Sequence, residues 1–341
     1  MKIDYLVPKM YQSFDLEAKR NAGGGMLPNI HSRASALRTH YDVRIISDVE
    51  EIQSDFCLIE SLWFSLWRDI QANTVMQGDV LGAIHKAHAA RLTKLFEKPA
   101  AKIVTCCELE LARLPWWSRA KIKHYPLGVV VNTPYLWDIL TALGITPIGY
   151  LCDAIDPYLF KPAKKELSVI ACGGLKHIKN PYLIFEVFER LRGKMRRIYI
   201  GNAEVWSNEN RTEDLELVEK IRACTDVWIP NASYIEVAYH LSTAGIGIND
   251  TWHDVSSRIN QEMLMAGVIS VAGQHPLFKE RPGFHGLKTA EAFVETISEI
   301  TNNFSEIPAS EGNQGRNWAC KNVSADVFIQ QFNELLINTY L

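Results

Sequence analysis

The stretch Leu167-Ser-Val-Ile-Ala-Cys172-Gly173-Gly174-Leu-Lys176-His-Ile-Lys179-Asn-Pro181 runs an apolar strand straight into a glycine pair, two lysines and a proline at a helix start. Glycine lets the backbone pass close to a ligand, and the first turn of a helix offers free N–H groups and the positive end of its dipole. Lys176 and Lys179 stand at i and i+3, so both side chains can reach one anion. The pattern predicts a phosphate loop. There is no G-x-G-x-x-G followed by an acidic residue and no G-x-x-x-x-G-K-[ST], which disfavours nicotinamide cofactors and P-loop hydrolysis.

Outward from this loop, strand and helix signals alternate along the whole chain, the mark of parallel α/β architecture. Strands are expected at Lys2–Val7, Val43–Ile46, Phe56–Glu60, Lys102–Cys107, Gly128–Asn132 and Ile148–Leu151, then at Leu167–Cys172, Arg197–Ile200, Val227–Ile229, Gly245–Asn249 and Val268–Ala272. Helical patterns lie between them, with a cap and a first-turn proline at Thr133-Pro134. Cys152–Glu166, with two prolines and three lysines, reads as an interdomain linker, and Pro308–Arg316 as a polar loop before a last helix near Ala325–Tyr340. Two Rossmann-like domains with parallel sheets facing across a cleft are expected, with ligands beyond the carboxyl ends of the strands.

The chain has 341 residues and 47% hydrophobic content, enough for two buried cores. No apolar run approaches the roughly 18–20 residues of a membrane span, and Met1–Pro8 reads as a strand rather than a signal peptide, so the expected place is the cytoplasm. The 7 cysteines form no C-x-x-C pair and read as reduced core residues; no metal site is expected. The net charge of −3 conceals an excess of cations between Lys86 and Lys123, the face on which an anionic partner would bind.

A second element is Asn249-Asp-Thr-Trp-His253-Asp254-Val-Ser-Ser-Arg258-Ile-Asn-Gln-Glu262-Met-Leu-Met-Ala-Gly267. A polar loop after a strand meets a helix whose exposed carboxylate, Glu262, lies eight residues beyond Asp254. Asp254 would sit near sugar hydroxyls; Glu262, an acceptor-only group, suits the two hydroxyls of a ribose.

Asp254 and Glu262 in this setting resemble the acidic pair of GT-B glycosyltransferases, especially the retaining Leloir family with its Glu-x7-Glu signature. Asp153-Ala-Ile-Asp156-Pro-Tyr-Leu-Phe160-Lys-Pro162 is similar to that family's linker, and Val131-Asn132-Thr-Pro-Tyr135-Leu to the strand-to-helix step before it. Two positions depart from the family. Gly174 stands where the family carries an Arg, so Lys176, Arg258 or another base must join Lys179 in the phosphate clamp; Asp254 is one methylene shorter than the family's leading Glu.

The segments around Gly173-Gly174, Ile198-Tyr-Ile-Gly-Asn202 and Glu262-Met-Leu-Met-Ala also resemble the phage DNA β-glucosyltransferases. The resemblance implies an N-terminal acceptor-binding domain over residues 1–155, a nucleotide-sugar domain over 156–322, and a C-terminal helix over 323–341 placed to pack back on the first. In the glycine-rich stretch Gly23–Arg33, Gly24 and Gly25 would bring backbone N–H groups to the transferring group. The phage enzymes carry a base just before an Arg-Leu-Pro; here Glu108 and Glu110 precede Arg113-Leu-Pro, and either would take the acceptor proton.

Arg113, Trp116, Trp117, Arg119 and Lys121 combine cations with aromatic faces, as nucleic-acid surfaces do. The resemblance therefore implies hexose transfer from UDP-glucose, with double-stranded DNA carrying a 5-hydroxymethylpyrimidine as favoured acceptor and the host cytoplasm as the place if phage-encoded. The competing readings are a transferase of surface polysaccharide or lipid-linked glycan synthesis, and a non-catalytic sugar-nucleotide module. Retaining and inverting chemistry both remain open, as does any metal dependence.

Overall fold

The computed structural model describes residues 1–8, 26–60, 90–106, 127–173, 180–201, 212–251, 257–304 and 307–340. Runs rich in Val, Ile and Leu form twelve strands among these residues, in two sheets of 6 strands each. The first contains β1 (Lys2–Leu6), β2 (Asp42–Ile46), β3 (Phe56–Glu60), β4 (Ala101–Cys106), β5 (Leu127–Val131) and β6 (Gly149–Tyr150), in the order β2-β1-β3-β4-β5-β6. The second contains β7 (Glu166–Cys172), β8 (Arg196–Gly201), β9 (Val227–Pro230), β10 (Ala244–Asn249), β11 (Ile269–Gly273) and β12 (Phe284–Leu287), in the order β12-β11-β10-β7-β8-β9. Every pairing is parallel.

Parallel strands need crossovers, and helices form those that the described residues show. In chain order the labelled helices are α1 (Met26–Arg38), α2 (Pro134–Ala142), α3 (Pro181–Arg190), α4 (Thr212–Ala223), α5 (Tyr234–Thr243), α6 (Arg258–Met265), α7 (Ala290–Asn302), α8 (Ile307–Asn322) and α9 (Ala325–Tyr340). The chain divides into two compact units. One holds the first sheet and α9; the other is Ile155–Ser324 with the second sheet. In the first unit Phe332 of α9 packs edge-on against Phe56 and Tyr41. In the second, Val169, Ile246, Ile269 and Val271 form a core with Val187 and Phe188 of α3, Ile221 of α4, and Phe293 and Ile297 of α7.

The structure corrects the reading of Pro308–Arg316 as a loop: these residues lie inside α8. Pro308 falls in its first turn, where a missing N–H costs nothing. The glycines are packing residues rather than breakers. Gly312, Gly315 and Ala319 form one buried stripe, and a Cβ on Gly312 would come within 2.6 Å of the Gly267 carbonyl. Small residues on that stripe let α8 lie against α6 and its exit. Within the segment Cys152–Glu166, where the two units meet in sequence, Cys152, Asp153, Ala154, Ile155 and Phe160 are buried. Strand β12, a short edge strand, has no clear alternation in its sequence.

Asp4 ties the first sheet to the loop before β3. Its Oδ2 accepts from the backbone N–H of Gln53 and Ser54, both at 2.7 Å, and its Oδ1 from Arg44 Nε at 2.8 Å. Burial works to raise this carboxyl, but the bonds from Arg44, Ser54 and Gln53 outweigh it and hold the pKa below its ordinary 3.8. A depressed acid contributes stability that is present above the unfolded value and lost as pH falls through the folded one. Asp4→Asn is therefore expected to cost about 1–3 kcal/mol at pH 7. In urea melts, the gap between variant and wild type should shrink as pH falls from 4 toward 2; a gap independent of pH would contradict this account.

Candidate functional site

In the second unit the strand order changes direction between β7 and β10, which are hydrogen-bonded neighbours in the sheet. The connections leaving these two strands diverge, so a crevice stays open beyond their carboxyl ends. A pocket lies there, lined by Gly173, Tyr199, Asn249, Asp250, Ser257 and Ile259 among others.

Gly173, the first of the expected phosphate-loop glycines, has φ +124°. Its N–H donates to the Ile200 carbonyl at 2.9 Å, and its own carbonyl accepts from the Tyr199 hydroxyl at 2.5 Å. Gly201 must lack a side chain, since a Cβ there would stand 1.8 Å from the Gly173 oxygen. The turn after β7 is thus shaped from beneath by β8.

On the other side of the pocket, Asp250 follows β10 and its Oδ2 accepts from Asn180 Nδ2 at 2.6 Å. Burial raises the Asp250 pKa, against the lowering pull of Asn180 and of the Thr251 N–H. Asn180 is the N-cap of α3, in left-handed conformation at φ 45°, and Ser257 is the equivalent residue before α6 at φ 44°. Two helices therefore begin at the pocket, and their positive ends favour a negatively charged ligand.

Arg258 opens α6, and Glu262 lies one turn further. The expectation of an exposed Glu262 is corrected: the side chain is 2% exposed. Its Oε1 accepts from Arg258 Nε at 2.7 Å and from the Tyr234 hydroxyl at 2.8 Å, while Arg258 Nη2 donates to the Tyr234 oxygen at 2.6 Å. The far end of α6 is also held. Lys165 Nζ donates to the Ala266 carbonyl at 2.7 Å, and Arg316 Nη1 bridges the carbonyls of Met265 and Phe160. Phe160, from the segment similar to the family linker, packs edge-on against Tyr234 with centroids 5.4 Å apart.

The first unit has its own switch point, between β1 and β3, and charged side chains fill it. Arg33, from the Gly23–Arg33 stretch, is fully buried and donates through Nη1 to both oxygens of Glu60 at 2.8 and 2.9 Å. Its Nη2 reaches Asp153 at 3.2 Å, the Tyr5 hydroxyl donates to Glu60 at 2.5 Å, and Asn132 Nδ2 donates to Asp153 at 2.9 Å.

Of the residues singled out from sequence, Gly173, Arg258 and Glu262 are thus brought to one region of the second unit. Gly24, Gly25, Glu108, Glu110, Arg113, Trp116, Trp117, Arg119, Lys121, Gly174, Lys176, Lys179 and Asp254 lie outside the described residues. Asn180, Tyr199, Tyr234 and Asp250 were not anticipated. Only Asp250 carries a usable signal, a polar residue directly after a parallel strand. Among the described residues no three His, Cys, Asp or Glu side chains converge on a metal position, and no helix is long and apolar enough to cross a membrane.

No family model matches the sequence, and no curated protein matches it. Solved structures do. A sucrose-phosphate synthase from Thermosynechococcus elongatus superposes with a TM-score of 0.71 at 12% identity, covering 99% of both chains. HepE of Anabaena, solved with UDP and glucose, gives 0.69 at 12% identity over 99% of this chain and 100% of its own. An alpha-glucosyltransferase solved with UDP and a 13-mer DNA containing an HMU base gives 0.63 at 12% identity over 99% of both chains. The fold is GT-B. At such identity the likeness is one of backbone, and it assigns the two parallel sheets to the two Rossmann-like domains of that fold.

In this GT-B chain the contact between Gly201 and Gly173 gives a direct test of the pocket floor. Gly201→Ala is expected to push the Gly173 carbonyl aside, at a cost of about 1–3 kcal/mol in urea unfolding. The same change should weaken pyrophosphate binding measured by calorimetry. Unchanged stability would show that the turn is not held as described.

Proposed function

We propose that this protein is a hexosyltransferase that moves a sugar from a nucleotide-diphospho-sugar, UDP-glucose, to a hydroxyl acceptor, the favoured acceptor being a 5-hydroxymethylpyrimidine in duplex phage DNA. The observation that carries the reading is the switch-point pocket, with bare backbone at Gly173 and two helix N-termini beside it. That is the environment a diphosphate requires. Lys176 and Lys179 adjoin Gly173 in sequence and supply cations, Gly174 and the first-domain glycines Gly24 and Gly25 supply backbone N–H groups, and Glu262 on α6 supplies an acceptor for the ribose.

In the transfer the acceptor oxygen bonds to the anomeric carbon as that carbon's bond to the diphosphate oxygen breaks, and UDP departs with the electron pair. The acceptor proton passes to Glu108 or Glu110 in an inverting course, or to the departing phosphate in a retaining one. Asp254 serves the sugar hydroxyls in either. The acceptor preference rests on the basic, aromatic segment Arg113, Trp116, Trp117, Arg119 and Lys121, which suits phosphates and an extruded base. It draws support from the similarity to a glucosyltransferase solved with DNA. Such a donor and acceptor place the reaction in the cytoplasm, that of the host if the protein is phage-encoded.

The test uses the full-length chain and UDP-glucose. UDP release is expected to rise when duplex DNA containing 5-hydroxymethylcytosine is added, and that stimulation to fade with increasing salt as phosphate contacts are screened. Lys179→Ala should reduce turnover about tenfold or more. Stimulation by glycan or lipid-linked acceptors instead of DNA would move the protein to polysaccharide synthesis. Failure to turn over any nucleotide sugar would remove the transferase reading altogether.

A further inference from the structure

The ion pair on α6 has a geometry that a purely structural pair would not need. Arg258 and Glu262 have side chains only 5% and 2% exposed, and burying two charges is costly unless their hydrogen-bonding capacity is used. The first unit shows how such a pair is satisfied: Arg33 grips both oxygens of Glu60. Arg258 does otherwise. It meets Glu262 through Nε alone, at Oε1, and the Tyr234 hydroxyl donates to that same oxygen. Among the described residues Oε2 accepts no hydrogen bond.

The three side chains form a closed triangle, because Arg258 Nη2 also donates to the Tyr234 oxygen. Tyr234 is itself immobilised. It is 2% exposed at the start of α5, behind a capping box of Ser233 and Glu236, with Phe160 against its edge and the Arg258 guanidinium carbon 5.8 Å from its ring centroid. A carboxylate held by one oxygen on so rigid a support has the other fixed in direction. The helix that carries it begins at the pocket, with Ser257 and Ile259 in the lining.

We propose that Tyr234 and Arg258 are positioning residues that hold Oε1 of Glu262 and so present Oε2 to the ribose hydroxyls of the donor. The proposal rests on the nucleotide-sugar reading above. It gives Arg258 a role at Glu262 beside the phosphate-clamp role that the sequence offers for it.

The experiment compares calorimetric binding of UDP and of 2′,3′-dideoxyuridine diphosphate to the full-length wild type and to Glu262→Gln, Tyr234→Phe and Arg258→Lys. Wild type is expected to prefer UDP about tenfold or more, the worth of a hydrogen bond to a charged group. Glu262→Gln should lose most of that preference. Tyr234→Phe keeps the ring and should also lose most of it, while binding the dideoxy probe as wild type does; a structural role alone would weaken both ligands equally. Arg258→Lys keeps the charge without the fork and should act in the same direction, which tests the idea independently if Tyr234→Phe is too unstable to measure. Wild-type preference retained in Tyr234→Phe and Arg258→Lys, but lost in Glu262→Gln, would overturn the positioning role and leave the ribose site standing. A wild type that binds both probes equally would overturn ribose recognition by Glu262, and one that binds neither would remove the nucleotide-sugar reading with it.

Discussion

Parallel pairing of β7 with β10 is the constraint on which the second unit depends. These strands are far apart in sequence, and their union at the centre of the sheet sends the chain outward in opposite directions on either side. The helices that follow them cannot both cover the gap at the carboxyl ends. Gly173 lies at one edge of that gap and Asp250 at the other, and α3 and α6 begin beside it. Left-handed backbone at Asn180 and Ser257 marks the places where the chain must turn sharply from loop to helix at the rim.

The two sheets use their switch points differently. In the first, Arg33, Glu60, Asp153 and Tyr5 pack the position with charge and bond to one another in a buried network. A network so fully engaged fixes where β1, β3 and the segment after β6 stand. In the second, the described residues leave a pocket at the corresponding position, and among them its nearest charged pair leaves one oxygen of Glu262 without a hydrogen bond. The contrast lies in hydrogen-bond geometry, two-oxygen contact in one case and one-oxygen contact in the other, since both pairs are buried.

Much of the fold is legible along the chain because strands buried on both faces read as continuous apolar runs. The strands from β1 to β11 coincide with such runs to within a residue or two, and Thr133-Pro134 caps α2 as its residue types imply. Pro308–Arg316 was not legible. Gly312 and Gly315 look like loop residues in isolation, and become helical packing residues only when α6 is found against them. Glu262 was legible as a residue of chemical interest, but its burial was not, because Tyr234 and Arg316, which enclose and anchor its helix, come from elsewhere in the chain.

By itself the sequence determined the alternation of strands and helices, the turn at Gly173 and the chemical types gathered near it, since these depend on neighbours a few residues apart. Only the tertiary structure decided that β7 lies beside β10, that β8 supports the turn through Tyr199 and Gly201, and that Glu262 is held by one oxygen. Each of these joins segments separated by tens of residues, where the choice of partner is made by packing and hydrogen-bond satisfaction across the whole unit. No local pattern records that choice.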